Sequence, residues 1–241
     1  MADELAAQWR IGVKIIAIDS SGLVASVAVA TEDSLIAEYT MNYKKTHSQT
    51  LLPMLDEISK AIELDLNTVD AIAVAAGPGS FTGLRIGSAT AKGLGMALDK
   101  PIISVPTADA LSLNVWGVSD LVCPIMDARR NQVYTGFYDF DSDGELNIIK
   151  EQFAEDIKVV CEELNAMGRS VIFLGDGVPV YENVIGEVLK LPYRFAPAHM
   201  SRQRAGALAH LAVKYMKAGR VEEAGEHVPI YLRQSQAERE R

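Results

Sequence analysis

The chain has 241 residues, of which 49% are hydrophobic and 23% are charged. This composition excludes an intrinsically disordered chain and supplies enough apolar residues for a sizeable core. With 23 basic and 32 acidic side chains, the formal net charge is −9. Because an acidic chain repels phosphate backbones, this protein is a poor candidate for binding nucleic acid by itself. The composition does not exclude a local basic patch.

The sequence shows no sign of export. Cys123 and Cys161 stand in apolar surroundings without a CxxC pair, which indicates two buried thiols in a reducing compartment. Residues 1–12 lack the apolar core of a signal peptide. No apolar run approaches the ~18 residues that a membrane span needs. We therefore expect a cytoplasmic protein with no membrane partner.

In chain order, the first half predicts three strands, a helix, a strand, a helix and a strand. Apolar runs between turn residues predict the strands, at residues 13–18, 23–30, 35–41, 71–76 and 101–105. Apolar residues at helical spacing from 51 to 62 predict the first helix. Pro53 predicts that this helix begins close by, because proline is tolerated in the first turn. The second predicted helix, residues 82–98, is unusually rich in glycine.

The second half repeats this order of elements. Strands are predicted at residues 121–126, 132–140, 145–149 and 171–174, and helices at 153–167, 178–189 and 202–217. Two copies of strand-strand-strand-helix-strand-helix are the order of the duplicated actin-like α/β fold (ASKHA, ribonuclease H-like), whose members hold nucleotide between two lobes.

This order also predicts how the chain divides. The two lobes are predicted at residues 13–106 and 107–233. An N-terminal extension at residues 1–12 precedes them, and a frayed polar tail at residues 234–241 follows.

Three loops follow strands, where ligands collect in open α/β sheets. The first offers Asp19, Ser20 and Ser21, either for a metal-bound water or a phosphate, or as a capped strand turn, since Asp and Ser favour turns. The third offers Gly175 and Gly177, which either admit an adenine or ribose or form a simple strand-to-helix turn. Both interpretations stay open for each loop.

The second loop, residues 77–87, is the richest in glycine. Gly77 and Gly79 allow a close approach of backbone, and Ser80 or Thr82 caps the following helix, whose free N–H groups suit an anion. The spacing is neither a Rossmann fingerprint nor a Walker A loop. The alternative is a strand-to-helix turn with tight packing.

Small residues recur every four positions along the predicted helix 82–98, namely Gly83, Gly87, Ala91 and Gly95, and a second stripe holds Ala89, Gly93 and Ala97. Glycine within a helix costs roughly 1 kcal/mol against alanine, so several of them need a reason. That reason is close helix packing, either within the chain or against another subunit.

The residues expected for several catalytic sites are missing from the sequence. No two of the four histidines stand three or four residues apart, so the usual helical metal pair is missing. No GxSxG elbow supports acyl transfer. His47 lies before the first predicted helix. It is either a polar cap of that helix or a former metal-ligand position.

Taken together, these segments resemble the TsaB (YeaZ) family. The resemblance covers residues 13–233 and rests on five motifs: Ile16-Ala17-Ile18-Asp19-Ser20-Ser21, His47-Ser48, the run from Gly77 to Gly87, Asp127-Ala128-Arg129-Arg130, and Val133-Tyr134. The family implies a two-lobe actin-like fold and a role in making threonylcarbamoyladenosine at position 37 of tRNA. In that machinery a sister subunit, TsaD, carries the metal and the chemistry, and a small ATPase, TsaE, joins the complex.

For this chain the resemblance implies a non-catalytic platform that forms homodimers alone and reaches tRNA only through the complex. The sister's His-x-x-x-His metal pair is matched by His47 and Leu51, which implies that no metal is bound. Asp19 and Asp127 match the family's two phosphate-type loops. No cofactor is expected to bind tightly, and ATP or ADP at the subunit junction stays open.

The first helix and the glycine-striped helix match the family's subunit interface. The resemblance therefore implies docking of TsaD through Leu51, Leu52, Leu55, Gly83, Gly87, Ala91 and Gly95. Two alternatives remain. A small-molecule kinase or ATPase would use Asp19 and the glycine loops, whereas a metallopeptidase rests only on the older glycoprotease-like label of the family.

Overall fold

The computed structural model describes residues 12–43 and 46–233, and the predicted N-terminal extension and polar tail lie almost wholly outside these residues. The strands are β1 Lys14–Asp19, β2 Ala25–Thr31, β3 Leu35–Met41, β4 Ala71–Gly77, β5 Ile102–Pro106, β6 Leu121–Asp127, β7 Gln132–Phe140, β8 Leu146–Asp156, β9 Val171–Leu174 and β10 Tyr193–Phe195. The α-helices are α1 His47–Ala61, α2 Phe81–Leu98, α3 Thr107–Ser112, α4 Ile157–Met167, α5 Val178–Val188 and α6 Ala205–Lys217.

The ten strands form two five-stranded sheets of the same topology. The first sheet has the order β3-β2-β1-β4-β5, and the second has the order β8-β7-β6-β9-β10. In each sheet the central strand, β1 or β6, runs antiparallel to the next strand of the chain and parallel to the fourth strand of its sheet. The predicted duplicated actin-like α/β fold is confirmed.

The central strand β1 is apolar throughout because both of its faces are covered. Ile15 and Ala17 pack on one face with α6, while Ile16 and Ile18 pack on the other face with α1 and α2. Helix α6 therefore covers the first sheet, although its position in the chain assigns it to the predicted C-terminal lobe. The second sheet has α4 and α5 on one face.

Short helix α3, which the sequence did not predict, lies between the two sheets. Its Ala110 packs in the core of the first sheet, and its Ala108 and Leu111 pack in the core of the second. Asp109 accepts hydrogen bonds from the hydroxyls of Tyr138 in the second sheet, at 2.8 Å, and Tyr215 on α6, at 3.3 Å. These contacts fix the two lobes against each other and so define the cleft between them.

Two further predictions of elements are wrong at their boundaries. Helix α1 begins at His47, so Pro53 stands in its second turn, on the exposed side. The predicted helix 153–167 begins only at Ile157, because the preceding residues continue β8: Phe153 pairs with Thr135 of β7, and its ring meets that of Phe137 edge-on at 5.6 Å. Strand pairing and aromatic packing override the helical pattern there. Within the described residues, no helix is both long and apolar enough to cross a membrane.

Candidate functional site

A large cleft of about 1810 Å³ lies between the lobes, at the carboxyl ends of the central strands. Loops after β1, β4, β6 and β9 line it, together with the start of α1 and residues 230–233. Of the predicted ligand residues, the structure places Ser21, Gly79, Ser80, Thr82 and Asp127 on the cleft wall. The remaining five lie behind that wall: Asp19, Ser20, Gly77, Gly175 and Gly177.

Asp19 is directed at its own turn rather than at the cleft. Its side chain is buried, and its Oδ1 accepts hydrogen bonds from the Ser21 backbone N–H at 2.9 Å and the Ser21 hydroxyl at 2.6 Å. Burial raises the pKa of the Asp19 carboxyl above its usual value, and the hydrogen bonds from Ser21 oppose this. The prediction of a metal-water or phosphate contact at Asp19 is therefore not supported, and the capped-turn interpretation describes what the residue does.

The glycine-rich loop after β4 closes on this same turn. A Cβ on Gly79 would lie 2.2 Å from the Ser21 carbonyl oxygen, and one on Gly83 would lie 2.1 Å from the Ser20 carbonyl oxygen. The Ser80 N–H donates to the Ser21 carbonyl at 2.7 Å, and the Ser80 hydroxyl caps α2 by accepting from Gly83 N–H. Glycine is required here because the chain's own backbone, rather than a phosphate, approaches the loop.

The loop after β9 is closed in the same way. Gly175 has a φ of +110°, and a Cβ there would lie 2.1 Å from the Ile125 carbonyl oxygen, which also accepts a hydrogen bond from Gly177 N–H at 3.0 Å. Both glycines are buried. They serve the contact with β6, so the prediction that they admit an adenine or ribose is not supported.

Asp127 stands at the cleft and is held by three contacts. Its Oδ1 accepts from the Arg129 N–H at 2.8 Å and from the Tyr181 hydroxyl at 2.9 Å, and its own N–H donates to Asp176 at 3.3 Å. Burial raises the pKa of the Asp176 carboxyl. Asp127 and Asp176 are therefore fixed in place by hydrogen bonds within the chain.

The cleft residues that the sequence analysis missed are arginine and aromatic side chains. Arg129, Arg130 and Arg233 line the cleft with Phe81 and Tyr231. The segment 127–130 contributed only to the family resemblance, and no periodicity marks it as a site. Residues 230–233 come from the end of the described chain, so only tertiary structure brings them here.

The predicted interface residues lie mostly inside the chain. Six of the seven are buried, namely Leu51, Leu55, Gly83, Gly87, Ala91 and Gly95, and only Leu52 is exposed. A Cβ on Gly87 would lie 2.4 Å from the Ser20 hydroxyl oxygen, and one on Gly95 would lie 2.8 Å from the Ala224 Cβ. The first stripe is therefore explained by packing within the chain, and its prediction as a subunit contact is corrected.

The second stripe lies on the outside of the same helix. Ala89, Gly93 and Ala97 are exposed, and Met96 beside them has 69% of its surface accessible. A Cβ on Gly93 would meet no atom within 4 Å. No contact within the described chain requires glycine at this position, unlike the glycines of the first stripe.

Comparisons with known proteins decide the family. A sequence model described as TsaD, tRNA N6-adenosine threonylcarbamoyltransferase, matches residues 34–241. The tRNA threonylcarbamoyladenosine biosynthesis protein TsaB of Bacillus subtilis is 36% identical over 231 residues, which are 93% of this chain and 96% of that protein. The chain belongs to the TsaB (YeaZ) family. The Escherichia coli TsaB protein is 27% identical over the same shares of both chains.

Solved structures of TsaB-family proteins have the same fold. YeaZ from Pseudomonas aeruginosa superposes with a TM-score of 0.76 at 28% identity, over 91% of this chain and all of its own. A second structure, an uncharacterized protein similar to the peptidase YEAZ, gives a TM-score of 0.79 at 28% identity over 92% of this chain. The resemblance inferred from the motifs is confirmed.

The two positions that the resemblance matched to a metal pair, His47 and Leu51, do not form one here. His47 Nε2 donates to the Gly22 carbonyl at 2.9 Å, and Leu51, at the second ligand position, is buried in the core of the first sheet. Within residues 12–43 and 46–233, no three His, Cys, Asp or Glu side chains cluster as a metal site.

Proposed function

We propose that this chain acts in tRNA threonylcarbamoyladenosine biosynthesis as a non-catalytic subunit that docks a TsaD protein and supports its activity. The names of its relatives support the pathway. The observation that carries the non-catalytic role is the closed loop between β4 and α2, in which the Ser20 and Ser21 carbonyls occupy the space that Gly83 and Gly79 leave. TsaE would join the complex, and tRNA would be bound within it.

The closed loop argues against a kinase or ATPase. Such an enzyme in this fold places phosphates against the loops at the strand ends, where backbone N–H groups are free to bind them. Here the Ser80 N–H already donates to the Ser21 carbonyl, and the Asp19 carboxylate already accepts a hydrogen bond from the Ser21 N–H. We therefore propose that no nucleotide binds tightly to this chain alone. ATP or ADP at the junction with TsaD remains part of the proposal.

The outer face of α1 and α2 is the proposed docking surface for TsaD. It presents Leu52 from α1 and the small residues of the second stripe from α2, with Met96 beside them. Small residues let a partner helix approach closely, and the exposed side chains of Leu52 and Met96 would add apolar area to such a contact. The same surface would serve in a homodimer, so a second copy and TsaD are expected to compete for it.

An omission experiment tests this proposal. TsaD, TsaE, tRNA, ATP and threonylcarbamoyl adenylate are combined with and without the chain, and modified adenosine is quantified. Gly93→Arg places a long charged side chain on the docking surface without an internal clash, because its Cβ meets no atom. We expect this variant to lose co-elution with TsaD and at least ~90% of the modification, since an unpaired charge buried in a contact is strongly unfavourable.

Ala166→Arg, on the exposed side of α4, is the matched control and should behave as the wild type. The proposal fails if the chain is dispensable, or if Gly93→Arg still docks TsaD. A loss of product in Asp19→Asn with TsaD docking intact would favour chemistry in the chain's own cleft.

A further inference from the structure

The loop between β6 and β7 presents two arginines to the cleft on an unusual backbone. Arg129, Arg130 and Asn131 have φ values of +64°, +57° and +61°, a region that costs an arginine about 1–2 kcal/mol, whereas asparagine adopts it more readily. Both arginines are exposed and line the cleft. Neither takes part in any ion pair between described residues, whereas Arg169, Arg194 and Arg204 each do.

On the other side of the cleft, at the start of α2, aromatic and cationic groups contact one another. The rings of Phe81 and Tyr231 lie 5.0 Å apart, and the guanidinium of Arg85 lies 3.9 Å from the Phe81 ring centre. Tyr231 keeps 39% of its surface exposed, and Tyr43, also on the cleft, keeps 69% exposed. Exposed rings of this kind offer flat surfaces on which nucleobases stack.

The last described residues, 230–233, form hydrogen bonds to both lobes at the cleft. The Ile230 N–H donates to the Ala76 carbonyl at 2.7 Å in the first lobe, and Arg233 Nη1 donates to the Ala128 carbonyl at 2.6 Å in the second. Tyr231 lies between these anchors. The segment therefore carries the exposed Tyr231 ring on the side of Phe81 and brings a third guanidinium, that of Arg233, against the arginine loop.

The size and charge of the cleft indicate its occupant. Its volume of about 1810 Å³ exceeds the roughly 300–1,000 Å³ of small-molecule sites, and the closed glycine loops leave no phosphate cradle for a mononucleotide. Arginines for phosphates and rings for bases are the combination that single-stranded nucleic acid requires. The net charge of −9 leaves the rest of the surface unfavourable for it.

We propose that the interlobe cleft binds a single-stranded RNA segment, with Arg129 and Arg130 on its phosphates and Tyr231 stacked on a base. The choice of RNA, and of a tRNA anticodon loop as the natural segment, rests on the proposed function. This contact is direct, unlike the sequence expectation that tRNA is reached only through the complex.

The test uses the full chain alone and a fluorescently labelled 17-nucleotide tRNA anticodon stem-loop, with anisotropy measured from low to moderate salt. Arg129→Asn/Arg130→Asn removes both charges, and asparagine suits the left-handed backbone, so the fold is retained. We expect this variant to bind at least ~10-fold more weakly. The slope of log affinity against log salt should fall by ~1.4, about 0.7 for each phosphate that the variant no longer neutralises.

Lys158→Gln/Lys190→Gln is the matched control. It removes two exposed positive charges of the second lobe that do not line the cleft, and it should change affinity less than ~2-fold. Tyr231→Ala should weaken binding roughly 10-fold without changing the salt slope, because stacking is not ionic. The inference is overturned if the wild type does not bind the stem-loop, or if the arginine and lysine variants lose affinity equally.

The two proposals fail separately. If the chain does not bind RNA but the reconstituted reaction still requires it, the RNA site is wrong and the docking role stands. If the chain binds the stem-loop through the arginines but is dispensable for modification, the docking role is wrong and the RNA site stands. Arg129→Asn/Arg130→Asn should still co-elute with TsaD, since it leaves α1 and α2 unchanged.

Discussion

Asp19 and Asp127 end equivalent strands of the two lobes, and each accepts a hydrogen bond from the N–H two residues later, at 2.9 and 2.8 Å. The loops after the fourth strands correspond as well: Gly77 has a φ of +113° and Gly175 a φ of +110°. The duplication has therefore kept the same backbone arrangement at both strand ends.

The two lobes differ in the residues that follow each aspartate. In the first lobe Ser20 and Ser21 are buried against the glycine-rich loop, whereas in the second lobe Arg129 and Arg130 are exposed at the cleft. Small side chains let one loop close on its neighbour, and large charged side chains keep the other open. In this fold the hydrogen bond at the strand end is the same in both lobes, whereas the loop that follows differs in backbone as well as in side-chain size, since Arg129 and Arg130 have positive φ and Ser20 and Ser21 do not.

The largest expected effect tests whether the first-lobe loop is closed. Gly83→Ala places its Cβ 2.1 Å from the Ser20 carbonyl oxygen, and because that neighbour is backbone we expect a loss of roughly 3 kcal/mol or more in the free energy of unfolding. Gly93→Ala, in the same helix with no atom near its Cβ, should gain about 0.4–1 kcal/mol. Urea unfolding of both variants measures the difference, and a stable Gly83→Ala protein would mean that the loop is open in solution.

A smaller effect separates the two aspartates by pH. Burial raises the folded pKa of Asp19, so the folded state binds its proton more tightly than the unfolded state does. Stability from this group is highest below the unfolded pKa of about 4 and falls as pH rises through the folded pKa. Asp19→Asn keeps the acceptor for Ser21 and removes the charge.

We therefore expect the Asp19→Asn protein to be more stable than the wild type at pH 7. The gain should shrink toward zero near pH 4. Unfolding free energies across this range measure it, and a gain that is larger in acid would contradict the buried, proton-favouring environment of Asp19.

The smallest effect concerns the open second-lobe loop. Arg130→Asn should increase the free energy of unfolding by a few tenths to about 1 kcal/mol, because asparagine adopts a left-handed backbone more readily than arginine. Thermal or urea unfolding detects this change. A loss of stability instead would show that the Arg130 side chain supports the fold, which would weaken the contrast between the lobes.

The order of strands was predictable from sequence because both faces of the central strands are covered, which produces continuous apolar runs at β1, β4, β6 and β9. Motifs identified the family. The elements that were missed, β10 and α3, have only three and six residues. Segments this short carry little periodicity of their own, and contacts distant in sequence stabilise them.

The sequence by itself indicated that Gly83, Gly87 and Gly93 need close neighbours, within the chain or in another subunit, since glycine within a helix is otherwise unfavourable. Only the tertiary structure decided which: Ser20 contacts the first two, and nothing within the described chain approaches the third. Likewise the sequence contained Arg129, Arg130 and Tyr231, but residues about 100 positions apart become one surface only when the lobes and the C-terminal segment pack together. The local sequence pattern indicates what environment each residue needs, whereas long-range packing determines which residues it contacts.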